Sequence, residues 1–176
     1  MIYTSGVITD ITRQETLEEL QDNKLTMVCE KLNLKKGDRM LDIGCGWGTL
    51  ATFAAKNYGA DVTGGQLGSA YLADQADMTV TLAREQTAFG NARLRENNIP
   101  ESQGRINCMD YRDIPANKGS FDAISCLEMA EHVGIRHYPK FLREVYELLD
   151  DDGTLVFQVA GIRTNWQYED LIWGLL

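Results

Sequence analysis

Three alternating glycines limit this chain most. In the stretch LDIGCGWGTLA, Leu41 to Ala51, Gly44, Gly46 and Gly48 stand between an apolar run and a helix-forming run. Glycine tolerates left-handed backbone angles and close approach of another group, so the stretch reads as a tight turn from a buried strand into a helix. The helix that follows presents unpaired N–H groups at its positive end, which with the bare backbone makes a ligand cradle. A dinucleotide-binding turn has the spacing GxGxxG, whereas here the spacing is GxGxG, with an acid, Asp42, two residues ahead of Gly44. The second strand-like segment, ADVTG, also lacks an acid at its end to hold a ribose. A nicotinamide oxidoreductase is disfavoured on both counts.

Strand-like and helix-like segments alternate along the rest of the chain. ETLEELQDNKLTMVCEKLNL reads as an amphipathic helix with Leu17, Leu20, Val28 and Leu32 near one face, RMLDIG as a buried strand, and TLATFAAKNYG as a helix stopped by Gly59. After the strand ADVTG come a helix at REQTAFGNARLREN, a short strand at RINCM, a strand at FDAISCL, a helix at YPKFLREVYELLD and a strand at GTLVFQVAG. This alternation predicts an α/β fold, a central and mostly parallel sheet with helices on both faces. Connections are short and no linker, repeat or low-complexity tract is visible, so residues 1–176 are expected to form a single domain.

Charge and composition remove several function classes. The 17 basic and 26 acidic residues give a net charge of -9, which argues against nucleic acid as a main partner, because phosphate binding needs a basic face. No apolar run approaches the ~20 residues of a membrane span, and no signal peptide is visible, so the chain taken alone reads as soluble. The four cysteines, Cys29, Cys45, Cys108 and Cys126, include no CxxC pair and read as reduced thiols. With only two histidines, His132 and His137, a metal site is not expected.

A second stretch carries chemistry. In SCLEMAEHVGIRHY, Ser125 to Tyr138, Glu128, Glu131 and His132 follow directly behind the apolar run FDAISCL. Such groups are costly to bury unless paired, so they either lie in solvent at a strand end or line a site. In open α/β sheets, ligands gather outside the carboxyl ends of the strands, where the strand order reverses. The acids of this stretch are expected to face that region.

Several motifs then point to one family. MIYTSGVI, LDIGCGWGTLA, TLAREQ, MDYRDIP, EMAEHVG and DDGTLVFQVAG resemble, in order and character, the cyclopropane-fatty-acid-synthase-like class I S-adenosylmethionine-dependent methyltransferases. The resemblance spans almost the whole chain, and WQYEDLIWGL near its end is similar to the fungal sphingolipid C9-methyltransferase branch. It implies a Rossmann-like fold, with residues 1–36 as an N-terminal lid and helix. It also implies S-adenosylmethionine as cofactor, with Tyr3 and Thr4 in a lid over it and Asp42, Gly44, Cys45, Gly46 and Gly48 around its methionine portion. Thr81, Leu82 and Gln86 would reach its ribose and adenosine, and Asp110 and Tyr111 would flank the adenine.

The same resemblance assigns catalysis to Glu131 and His132, with Ser5 and Gln158. In related cyclopropane synthases a bound bicarbonate acts as base, held in part by the glutamate that matches Glu131. A cysteine and a histidine that also serve there are Ser5 and Gln158 in this chain, which counts against bicarbonate. The implied reaction is methyl transfer to C9 of the Δ8 double bond of a sphingoid base, in a ceramide or glucosylceramide, followed by proton loss that restores the alkene. A cyclopropane synthase acting on phospholipid acyl chains and an inactive binding fragment are the alternatives. Trp166, Tyr168 and Trp173 are expected to wall a lipid groove or to pack in the core. The resemblance further implies membrane association at the endoplasmic reticulum, through hydrophobic segments that precede this region in relatives, and additional strands after it.

One segment departs from the family. Residues 65–79, GQLGSAYLADQADMT, stand where relatives run almost directly from strand to cofactor-binding turn. Lengthening a loop adds only ~0.6 kcal/mol of closure entropy per doubling, so the fold tolerates it, but the segment interrupts the expected ribose site. It reads as retained non-coding sequence. Sequencing the mature transcript is expected to return a message without it, and a message that contains it refutes this reading.

Overall fold

The apolar run ahead of the glycines forms β1, Arg39–Ile43, at the centre of a five-stranded sheet. The computed structural model describes residues 5–65, 76–109, 118–134 and 136–159, with 76–83 described by their backbone alone. Beside β1 lie β2, Asp61–Gly65, on one side and β4, Phe121–Leu127, on the other. β3, Gly104–Asn107, extends the sheet beyond β2, and β5, Leu149–Gln158, extends it beyond β4. The order is β3-β2-β1-β4-β5 and every pairing is parallel. The chain therefore winds outward from β1 in one direction and then in the other, so the order reverses between β1 and β4. All strands present their carboxyl ends at the same edge.

Parallel strands are buried on both faces, and two apolar clusters do this here. On one face, Val28 and Cys29 from α1 (Leu17–Lys31) with Leu32 at its C-cap, Ala51, Ala54 and Ala55 from α2 (Thr49–Tyr58), and Leu94 from α3 (Ala76–Glu96) cover Met40, Val62 and Ile106. On the other, Phe141, Val145 and Leu148 from α4 (Tyr138–Leu148) cover Leu41, Ile43, Ile124 and Cys126. Alternate residues of a strand point to opposite faces, which sends Met40 to the first cluster and Leu41 and Ile43 to the second. Each such large side chain contributes about 1.5–3 kcal/mol when fully buried.

Local signals set the element ends. Thr16 accepts from Glu19 N–H at 3.2 Å while Glu19 accepts from Thr16 N–H at 2.7 Å, a reciprocal cap that starts α1. Gly59, left-handed at φ +70°, stops α2 as expected. At the amino edge, Arg39 donates to Asp122 through Nε and Nη2 at 3.0 and 2.6 Å, latching β1 to β4.

Three expectations are corrected. Leu17 is 67% exposed, and the buried face of α1 is Gln21, Lys24, Leu25, Val28 and Cys29, because the helix meets the core only after its first turn. β5 begins at Leu149 rather than Gly153: Phe121 pairs with Leu149 and Ala123 with Thr154, so Asp150–Gly153 is taken up as an irregularity opposite one residue of β4. α3 starts at Ala76, so the end of the 65–79 segment is helical, while 66–75 lie outside the described residues. Among the described residues no helix is long and apolar enough to cross a membrane.

Candidate functional site

The turn after β1 holds three left-handed residues, Gly44 at φ +77°, Gly46 at +53° and Gly48 at +72°. Each glycine is required for a different reason. A Cβ on residue 44 would come within 2.8 Å of Met129 Cβ, so the turn can lie against the end of β4 only without a side chain there. A Cβ on residue 48 would run into Ile106 and come within 3.2 Å of Gly90 Cα, so this glycine lets α3 approach the start of α2. A Cβ on residue 46 would meet no described residue within 4 Å. Among the described residues nothing crowds that position, so the glycine at 46 answers to backbone angle.

Gly44 N–H donates to Gly65 O at 2.8 Å, tying the turn to the end of β2. The Cys45 side chain is buried and faces Gly64, where a Cβ would come within 2.8 Å of its Sγ, so Cys45 offers the turn its backbone only. Trp47 packs edge-on against Phe89 of α3, ring centroids 5.2 Å apart, as an aromatic border to the same turn.

Asp42 lies beneath this turn, only 3% exposed, and accepts from Ser125 Oγ at 2.7 Å across the β1–β4 pairing. Burial pushes its carboxyl from 3.8 up to about 6, with the Ser125 hydrogen bond pulling the other way. Burial, then the charge of Asp42, raises the Cys29 and Cys126 thiols to about 12, which leaves both protonated at neutral pH and unfit as nucleophiles.

The second half of the site is the end of β4. Glu128 is left-handed at φ +54°, its N–H donates to Gln158 O at 2.8 Å, and its Oε1 accepts from Gln158 Nε2 at 2.7 Å. Lys24 Nζ lies 3.5 Å from the same oxygen. Met129 follows, buried against Gly44, and Ala130–His132 form a 3-10 turn on which Glu131 and His132 are exposed. Among the described residues, no cluster of three or more His, Cys, Asp or Glu is placed to hold a metal ion.

The structure thus brings the glycine turn, Asp42, Glu131, His132 and Gln158 to one edge, with Gln158 bonded to Glu128. Ser5 is exposed on an extended segment that Val7 N–H ties to Leu20 O of α1 at 2.9 Å. Gln86 is half-buried on α3, one turn before Phe89. Thr81 and Leu82 fall inside α3 rather than at its start, with side chains outside the described residues. Tyr3, Thr4, Asp110, Tyr111, Trp166, Tyr168 and Trp173 also lie outside them. Sequence reasoning missed Lys24, Trp47 and Phe89. Lys24 had a signal, since it interrupts the i, i+4 row Leu20, Val28, Leu32 on the apolar face of α1.

Known proteins resemble this chain along almost all of it. The family described as mycolic acid cyclopropane synthetase matches residues 1–171. Sphingolipid C9-methyltransferase 2 of Gibberella zeae is 61% identical over 175 residues, covering 99% of this chain and 31% of that protein. The sphingolipid C9-methyltransferase of Candida albicans is 56% identical over 178 residues, covering 99% and 32%. The chain therefore spans about a third of the length of these relatives. Among solved structures, the cyclopropane synthase MmaA2 of Mycobacterium tuberculosis superposes with a TM-score of 0.75 at 24% identity, covering 98% of this chain and 53% of that one.

The Asp42 environment has a measurable consequence. Below about pH 3.8 the carboxyl is protonated in both folded and unfolded chains, and as pH rises through about 6 the native state must ionise a buried group. Stability is therefore expected to fall over that window, by up to about 3 kcal/mol, and to level off above it. Asp42→Asn should remove that slope and gain stability at pH 7.5 relative to wild type, as read by urea unfolding at pH 4.5 and 7.5.

Proposed function

The chain belongs to the mycolic acid cyclopropane synthetase family and has the Rossmann-like fold of class I methyltransferases, and we propose that it forms the donor-binding and catalytic part of an S-adenosylmethionine-dependent C-methyltransferase. The acceptor is C9 of a Δ8 double bond in the sphingoid base of a ceramide or glucosylceramide. The observation that carries this reading is the contact of Met129 with Gly44, which keeps the carboxylates after β4 beside the glycine turn. The fungal relatives, named for sphingolipid methylation at C9, supply the acceptor.

The residues of the turn fit the cofactor, because a Cβ at Gly46 would meet no described residue within 4 Å and Asp42 puts a carboxylate beneath a ligand that carries positive charge. When bound, S-adenosylmethionine supplies an electrophilic methyl group. Gly44, Cys45, Gly46 and Gly48 would hold its methionine portion by their backbone, with Gln86 nearby on α3. Tyr3, Thr4, Thr81, Leu82, Asp110 and Tyr111 keep their cofactor roles by family resemblance.

An alkene needs no nucleophile from the protein. The site has to exclude water, place negative charge where a cation develops on the lipid, and take up a proton. Glu131 is assigned the negative charge, flanked by His132, with Ser5 and Gln158 completing the group. Gln158 Nε2 donates to the Glu128 carboxylate. An amide so engaged is a poor ligand for a second anion, which supports methyl addition over bicarbonate-dependent ring closure. Since the acceptor is a membrane lipid, the protein works at a membrane surface, that of the endoplasmic reticulum by resemblance.

Incubation of the whole protein with S-adenosylmethionine and a Δ8-sphingoid ceramide, followed by mass spectrometry, is expected to give a sphingoid base one methylene heavier, branched at C9. A methylene inserted across a phospholipid acyl double bond would support the cyclopropane alternative, and no cofactor binding by calorimetry would support an inactive fragment. Glu131→Gln should lower turnover by roughly 10²-fold or more while leaving cofactor affinity nearly intact. Parallel loss of both would show that Glu131 serves the cofactor instead.

A further inference from the structure

Glu128 fills a backbone position that glycine would fill more cheaply. At φ +54° a residue with a side chain is disfavoured by about 1–2 kcal/mol. Such strain persists where surrounding contacts hold it, and two elements do so here. Gln158 of β5 receives the Glu128 N–H on its carbonyl and donates from Nε2 to Oε1 at 2.7 Å, while Lys24 of α1 brings Nζ to 3.5 Å from the same oxygen. Lys24 is itself only 2% exposed, so a buried cation backs the carboxylate. The Glu128 side chain is nevertheless 33% exposed, and its neighbour Met129 touches Gly44 of the cradle. This is a fixed carboxylate at the open edge of the sheet, next to the point where donor and acceptor would meet.

Resting on the function proposed above, we propose that Glu128 is the proton acceptor of the methyl transfer, and that Lys24 and Gln158 are its positioning residues. Once C9 carries the new methyl group, a cation at C8 makes the remaining C9–H strongly acidic. That C–H bond breaks, its electron pair re-forms the C8=C9 double bond, and the proton passes to a Glu128 oxygen. So acidic a proton does not need a strong base. It needs a carboxylate that is held still before the cation forms, which the ammonium of Lys24 and the amide of Gln158 provide. Glu131, on the next turn, keeps the separate task of stabilising developing charge.

The test compares wild-type whole protein with Glu128→Gln and with the double variant Lys24→Met/Glu128→Gly, using S-adenosylmethionine and a Δ8-sphingoid ceramide. Glutamine keeps the shape and an acceptor oxygen but not the basic carboxylate. The double variant removes both members of the ion pair, leaves no lone buried charge, and places glycine at a positive φ, so its melting temperature is expected to match or exceed wild type. Both variants should bind the cofactor within about threefold of wild type by calorimetry. Both should lose roughly 10²- to 10⁴-fold in 9-methyl-Δ8 product, and residual methylated lipid should carry its double bond displaced from C8–C9, a signature that mere loosening of the fold would not produce. Formation of the 9-methyl-Δ8 product at the wild-type rate by either variant, or loss of cofactor affinity in step with turnover, overturns the assignment. A wild type that methylates no Δ8 ceramide refutes the functional reading and this assignment with it.

Discussion

Met129 lies where any side chain on residue 44 would have to go, and this contact joins the two loops from which the candidate site is made. Gly44 answers to two demands at once, a left-handed backbone and an absent Cβ, so hardly any other residue could occupy it. Because the sheet is parallel, the loops after β1 and β4 emerge at the same edge. Because the strand order reverses between these two strands, no crossover helix stands between them. The contact turns that topological adjacency into a fixed separation between a cradle and a row of carboxylates.

The charges at this edge share one logic. Asp42 sits below the turn, and Glu128 and Glu131 stand beside it, whereas the buried cation Lys24 lies behind Glu128. A site of this kind suits a group that carries positive charge. Two of the buried thiols, on Cys29 and Cys126, are held protonated by burial and by the same acid. Neither of these two thiols is therefore available as a nucleophile.

Much of the fold was legible because its signals are local. The glycine spacing, the stop at Gly59 and the apolar run FDAISCL each act within a few residues, and the observed elements follow them. Where the reading slipped, a distant partner decided. β5 starts early because Leu149 finds Phe121 across the sheet, and Leu17 is exposed because the core under α1 begins only one turn later.

The candidate site divides in the same way. Sequence by itself determined that a strand, a glycine turn and a helix build a cradle, and that acids follow directly on a buried strand, since periodicity and backbone permission are properties of short stretches. Tertiary structure alone decided that Gly44, Gly46 and Gly48 serve three different neighbours. It alone decided that Asp42 is buried against Ser125, and that Lys24 and Gln158 converge on Glu128 rather than on Glu131. These pairings depend on strand order, register and the seating of α1, which arise from packing across the whole sheet and leave no trace in any single stretch of residues.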